Sequence, residues 1–205
     1  MNRSEAYRIY STAVGYCGLV FRHDAGGVRI LRIFLPAAEP TVQQEIAAFC
    51  PGAVEEHHED TEDLARSIQE YFQGKRVAFP MDSLDTSRCG RFQMRVLTAE
   101  RTIPYGKTAS YGWIARRLGM RGGAQAIGQA LARNPFPIII PCHRTIRFDR
   151  TIGLFQRRGG LKRRMLELEG VRFDSYGRVA AESYLDLGDG VRGAGQNMQN
   201  LVETS

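Results

Sequence analysis

Hydrophobic and polar positions alternate along the start of the chain. From Tyr7 to Phe21, β-branched and aromatic residues recur at a loose period of two; His23-Asp24-Ala25-Gly26-Gly27 marks a turn, and a second apolar run follows over Val28–Leu35. Two such runs around a Gly-rich turn predict a β-hairpin. Beyond it the period lengthens. Pro40-Thr41 with Gln44 reads as a capping box opening a short helix that stops at Pro51-Gly52. A second helix is predicted after Asp60-Thr61, with Leu64, Ile68, Tyr71 and Phe72 on one face and Gly74 as its stop. The acidic stretch Glu55–Asp63 is its solvated lead-in, and Phe79-Pro80 to Ser87 reads as a linker.

The remainder reads as helices. Phe92, Val96 and Leu97 give one apolar face, broken at Ile103-Pro104-Tyr105-Gly106. Ser110 caps a helix with Ile114 and Leu118 inward, ending at Gly119. After Met120-Arg121-Gly122-Gly123, another helix runs to about Arg133, with Ile127, Ala130 and Leu131 inward. Two short helices around a Gly-containing turn make a helix-turn-helix unit. The outer side of its second helix, Ala124, Gln125, Gly128 and Ala132, has almost no bulk and would let the backbone approach a duplex. Leu161, Met165 and Leu168 mark a last helix that stops at Glu169-Gly170.

The fold class predicted is therefore α+β. An N-terminal unit over 1–80 has a β-hairpin or sheet with helices. A mainly helical, winged-helix-like domain containing the helix-turn-helix covers 86–170, and 171–205 is an extension, polar and disordered from Leu187 onward.

Charge changes this picture. The whole chain, 205 residues with a net charge of +6, is ordinary in its hydrophobic content of 43%. The halves differ: residues 86–170 hold 17 Lys and Arg against 4 acids, whereas 1–85 hold 8 against 13. A basic block of this kind is the footprint of a phosphate-binding surface, and nucleic acid is the partner it predicts. No stretch approaches the roughly 20 apolar residues that span a bilayer, and the N-terminus lacks the apolar core of a signal peptide. The four cysteines, Cys17, Cys50, Cys89 and Cys142, are scattered without a CxxC pair, which argues against a disulfide framework or zinc ribbon and for a reducing cytoplasm. His57-His58 with Cys50 fits no metal-ligand spacing.

The chemistry concentrates at Pro141-Cys142-His143-Arg144, reached through Asn134-Pro135-Phe136-Pro137-Ile138-Ile139-Ile140. A thiol needs a base or a positive neighbour to react as thiolate, and His143 and Arg144 offer both. A buried structural cysteine is the alternative on these four residues alone.

The surrounding pieces carry a resemblance. Tyr71-Phe72-Gln73-Gly74-Lys75, Arg91-Phe92-Gln93 with Val96, Ile103-Pro104-Tyr105-Gly106-Lys107-Thr108, Ser110-Tyr111 with Ile114-Ala115, and Ala126-Ile127-Gly128 come first. Asn134-Pro135, Ile140-Pro141-Cys142-His143-Arg144, Lys162 and Leu168-Glu169-Gly170 complete the set. Over residues 71–170 the chain resembles the O6-alkylguanine-DNA alkyltransferases, the methylated-DNA–protein-cysteine methyltransferases. The resemblance implies a DNA-repair protein that binds duplex DNA as a monomer through the minor groove, unlike the usual major-groove docking of a helix-turn-helix. It would flip O6-alkylguanine, or O4-alkylthymine, out of the stack and move the alkyl group to its own cysteine in a single turnover, with no cofactor and no metal.

By that resemblance Cys142 is the nucleophile, His143 the base through a water, and Glu169 the group that holds the ring. Asn134 shapes the active-site turn, and Tyr111 crowds the phosphate beside the lesion and donates a proton toward the base. DNA contacts are expected from Tyr111, Ala124, Gln125, Ala126, Gly128, Arg133 and Arg144. Two departures stand out. Gln125 occupies the position of an arginine that fills the gap left by the flipped base, and Thr151–Gly160 replaces a tight Gly-Tyr-x-Gly-Gly loop. A non-catalytic lesion-binding relative that flips and flags the base is the competing reading, against which Cys142 argues. A cysteine hydrolase is disfavoured because no oxyanion motif accompanies the cysteine.

Overall fold

The computed structural model describes residues 5–153, 155 and 160–185. Half of the departing loop (154 and 156–159) and the tail from 186 lie outside them. Three strands, β1 (Glu5–Thr12), β2 (Gly15–Asp24) and β3 (Gly27–Ala37), form an antiparallel meander, and β4 (Val54–Glu55) adds in parallel to the free edge of β1. The single strand expected over Tyr7–Phe21 is thus two. The chain reverses at Ala13-Val14, where the Thr12 hydroxyl donates to the Gly15 carbonyl and accepts from the Val14 amide. Gly15 sits at φ +125°, with Ala37 O only 2.8 Å from where a Cβ would be. That turn carries a weaker sequence signature than His23–Gly27 and was hidden inside the alternation.

Side chains of β2 point alternately to the two faces of the sheet. Val20 faces α1 (Glu39–Phe49) through Val42 and Ile46, while Cys17, Leu19 and Phe21 face α2 (Glu59–Phe72). The capping box expected at Thr41 does not form. The first helix starts earlier, from Ala38 without a side-chain cap, with Pro40 in its first turn, where a missing N–H costs nothing. His58 caps α2 through Nδ1, which accepts from the Asp60 amide, and Gly74 ends it at φ +85°.

The linker is not loose. The Ile30 amide donates to Ser83 O at 2.7 Å, Asp85 N donates to Ile30 O at 2.8 Å, and Leu84 is buried between them. Arg22 pairs with Asp85 at 2.7 Å. The segment is stitched to the edge of β3, and one hydrophobic cluster runs from the first sheet through Val96, Ile114, Ile127 and Phe136 to Met165.

In the second half α3 (Arg91–Glu100) buries Val96, Leu97 and Ala99, but Phe92, expected inward, is 36% exposed. The helix-turn-helix forms as predicted: α4 (Tyr111–Arg117) and α5 (Ala124–Ala132) flank a turn with Gly119 and Gly122 at positive φ. Ser110 Oγ accepts from the Trp113 amide at 3.0 Å. A small parallel sheet accompanies them, in the order β6 (Thr145–Ile146), β5 (Thr108–Ser110), β7 (Tyr184–Leu185). Strands of two or three residues leave no periodicity to read, so this sheet was invisible in the sequence. α6 (Leu161–Leu168) closes the site from behind. The first part of the extension is built in: Val171 and Val179 are buried with Ile146 and Leu166, and Thr108 donates to Ser183 O. Among the described residues, no helix is long and apolar enough to cross a membrane.

Candidate active site

The loop that delivers the cysteine is held by Asn134, which is 1% exposed. Its Nδ2 donates to Ile140 O at 2.9 Å and its Oδ1 accepts from Phe136 N at 3.0 Å, so both ends of the amide span the turn. The Ile33 amide of β3 donates to Pro135 O at 2.8 Å, fastening the loop to the first sheet. Between these anchors Ile138 adopts φ +78°. A β-branched residue there carries strain of about 1–3 kcal/mol, sustained by the surrounding bonds. Cys142 opens a single turn of 3-10 helix over Cys142–Arg144.

Directly after the cysteine, His143 is fully buried and pairs through Nε2 with Glu169 Oε1 at 2.8 Å. The carboxylate accepts from several more donors. Arg144 gives Nε to Oε2 at 2.8 Å and Nη2 to Oε1 at 3.0 Å, and the Tyr71 hydroxyl donates to Oε1 at 3.1 Å. The Gly106 amide reaches Oε2 at 3.3 Å. Burial alone would raise the Glu169 pKa, yet the charge and hydrogen bonds of His143 and Arg144 bring it down to about 2. Glu169 is therefore anionic, and its hydrogen bond with Nε2 places the ring hydrogen on that nitrogen. Nδ1 is left with its lone pair, buried, and without a hydrogen-bond partner among the described residues. Burial lowers the His143 pKa, against the pull of Glu169, so the ring rests neutral. An acid at the C-terminus of α6 opposes the helix dipole; Arg144 supplies the compensation.

Cys142 lines a pocket of about 150 Å³ with Tyr111, Gly128, Leu131, Ala132, Phe155 and Lys162. Burial pushes the thiol up to about 12, against the Asn134 hydrogen bond and the Lys162 charge. It rests as a thiol. Lys162, 2% exposed, donates Nζ to Thr145 O at 2.6 Å, and burial lowers it to about 8. Tyr111 stands at the first position of α4, half-buried, its phenol raised by burial and by Glu100 and Cys142. Gly128 faces its ring, where an added Cβ would lie 3.8 Å away.

The structure thus places Tyr111 on the Cys142 pocket, gives Cys142 a hydrogen bond with Asn134, and pairs His143, the next residue in the chain, with Glu169. Ala124, Gln125 and Arg133 are exposed along α5 and at its end, Ala126 and Gly128 are half-buried, and Ala132 edges the pocket. A concavity of about 620 Å³ at the helix-turn-helix turn is lined by Arg116, Arg121 and the glycines 119, 122 and 123. Arg144, expected to touch DNA and to offer a positive charge to the thiol, commits its guanidinium to Glu169 and, at 2.8 Å, to Ile103 O. The cation beside the thiol is Lys162. Its signal was present, since Lys162 falls on the apolar stripe of Met165 and Leu166. Helical spacing places Tyr71 on the apolar face of α2, and the fold carries its hydroxyl to Glu169.

Comparison with known proteins follows the same residues. The family model described as 6-O-methylguanine DNA methyltransferase, DNA binding domain, matches residues 91–171. The methylated-DNA–protein-cysteine methyltransferase of Methanothermobacter thermautotrophicus is 42% identical over 111 residues, 54% of this chain and 62% of that protein. The constitutive enzyme of that name from Bacillus subtilis is 38% identical over 122 residues, 58% of this chain and 68% of its own. The chain spans about three fifths of the length of the first of these relatives. Among solved structures, that of Mycobacterium tuberculosis OGT in complex with DNA superposes with a TM-score of 0.63 at 30% identity, covering 80% of this chain and 92% of that one. The likeness thus extends beyond the matched segment into the first sheet, and the chain belongs to the O6-alkylguanine-DNA alkyltransferases, the methylated-DNA–protein-cysteine methyltransferase family.

Proposed function

We propose that this protein repairs DNA by taking the alkyl group of O6-alkylguanine onto Cys142, once per molecule. The observation that carries the reading is a buried thiol lining a pocket, followed in the chain by an imidazole whose Nε2 is fixed by an anionic carboxylate and whose Nδ1 has no partner among the described residues. That is a nucleophile, a base and an orienting group in one arrangement.

The thiol proton passes, through a water, to His143 Nδ1, whose imidazolium is held by Glu169. The sulfur attacks the alkyl carbon, the carbon–O6 bond breaks, and its electron pair stays with guanine, which takes a proton from Tyr111. Tyr111 recovers its proton from His143, so the net change moves one hydrogen from sulfur to guanine. The product thioether has no good leaving group, which makes the reaction stoichiometric.

Binding is proposed through the minor groove, with α5 approaching the duplex along its small residues and Gln125 entering the gap left by the flipped base. Flipping costs a few kcal/mol, less for a badly paired lesion. Arg116, Arg121 and Arg133 supply sequence-independent phosphate contacts that offset it. Mass spectrometry of the intact protein after incubation with O6-methylguanine duplex tests the reading. One methyl on the Cys142 peptide, and no more, is expected. An unmodified protein that still binds the lesion would replace transfer with lesion recognition.

A further inference from the structure

Tyr71 belongs to α2, in the half of the chain that holds neither the cysteine nor the helix-turn-helix, yet it touches the His143–Glu169 pair. It is 3% exposed. Its hydroxyl donates to Glu169 Oε1 at 3.1 Å, and that hydroxyl also lies 3.2 Å from His143 Nε2. Its ring packs edge-on to Phe72 and Phe79, at centroid separations of 5.1 and 6.3 Å, and lies tilted against His143 at 6.2 Å. Nothing about core packing requires that hydroxyl to end on a catalytic carboxylate.

We propose that Tyr71 is a positioning residue for alkyl transfer, fixing Glu169 Oε1 against the His143 ring and making the first half of the chain part of the catalytic apparatus. This rests on the reading of Cys142 as alkyl acceptor. The physical reason is competition for one oxygen. Oε1 accepts from His143, Arg144 and Tyr71 at once. Each donor draws charge from it, so the tyrosine limits how strongly the carboxylate stabilises imidazolium. Burial and the neighbouring Glu169 hold the phenol well above its ordinary pKa, so it donates across the working pH range. The charged groups acting on His143 are Glu169, which favours its protonation, and Arg144 and Lys162, which oppose it. With the hydroxyl gone, Glu169 acts on the ring with less competition and the ring protonates more readily.

The test is Tyr71→Phe, read by single-turnover transfer from O6-methylguanine duplex across pH, by duplex affinity, and by titration of the His143 ring nitrogens with 15N NMR. The expected result is a rate loss of about tenfold, with unchanged affinity. The acid limb of the rate profile and the His143 midpoint should both move to higher pH by roughly half a unit. Phe79→Leu, which loosens the packing against Tyr71 but leaves its hydroxyl, should lower stability without moving either. If Tyr71→Phe folds poorly, 3-fluorotyrosine at position 71, a stronger donor, should move the midpoint the opposite way. A His143 midpoint and acid limb that ignore these changes overturn the inference while leaving transfer intact. A wild-type protein that takes no methyl defeats the transfer reading instead, and the NMR titration still decides whether Tyr71 controls His143.

Discussion

Glu100 offers a test of the buried electrostatics. It ends α3 fully buried; Thr145 Oγ1 donates to Oε2, and Oε1 has no partner among the described residues. Burial raises its pKa to about 7, against the opposing pulls of Thr145, Lys162 and Arg144. An acid whose folded pKa lies above its unfolded value of 4.5 binds its proton more tightly in the fold. Its contribution is therefore fully present below pH 4.5 and is lost as pH rises to about 7, where the penalty levels off. A displacement of that size, at about 1.4 kcal/mol per pH unit, corresponds to about 3 kcal/mol at full ionisation. Glu100→Gln keeps the shape and lets an amide oxygen accept from Thr145, but removes the titration. Urea unfolding of both proteins at pH 5 and pH 8 should show the variant gaining about 2–3 kcal/mol relative to wild type over that interval. If both proteins lose stability in parallel between those pH values, Glu100 is not a carboxyl with a raised pKa and the reasoning fails.

Three further outcomes follow from the site. Cys142→Ala should abolish methyl transfer while leaving duplex affinity within about a few-fold, because affinity resides in phosphate contacts; a large affinity loss in a binding titration would contradict this. Affinity for undamaged duplex should fall steeply between low and moderate salt as counterions return to the DNA, and a flat salt profile would remove the basic half as the DNA surface. Gln125→Ala should slow repair in duplex far more than in single strands, and Gln125→Arg should raise the duplex rate, since a guanidinium fills the gap and stacks on neighbouring bases. Equal single-turnover effects on both substrates would assign Gln125 to the helix alone.

Local signals in the chain determined a good deal by themselves. The helix-turn-helix was legible because Ser110, Gly119 and the inward Ile114, Ile127 and Leu131 are caps, stops and periodic positions, which act within a few residues. The Pro141–Arg144 segment stood out because Asn134, Cys142, His143 and Glu169 match a spaced pattern. Tertiary structure decided the rest. The fold brings Glu169 and Ile103 O to the Arg144 guanidinium, partners that its place beside the cysteine does not announce. Lys162 became the cation beside the thiol, and Tyr71 reached across 98 residues of sequence to Glu169. The parallel strands β5, β6 and β7 pair segments too short to carry a period, and the supposed linker is held by hydrogen bonds to β3. Propensity, capping and periodicity are properties of neighbouring residues, whereas the partner of a buried charge is set by which distant elements the core draws together. The sequence therefore named the candidate groups, and only the packed chain determined which of them share a carboxylate.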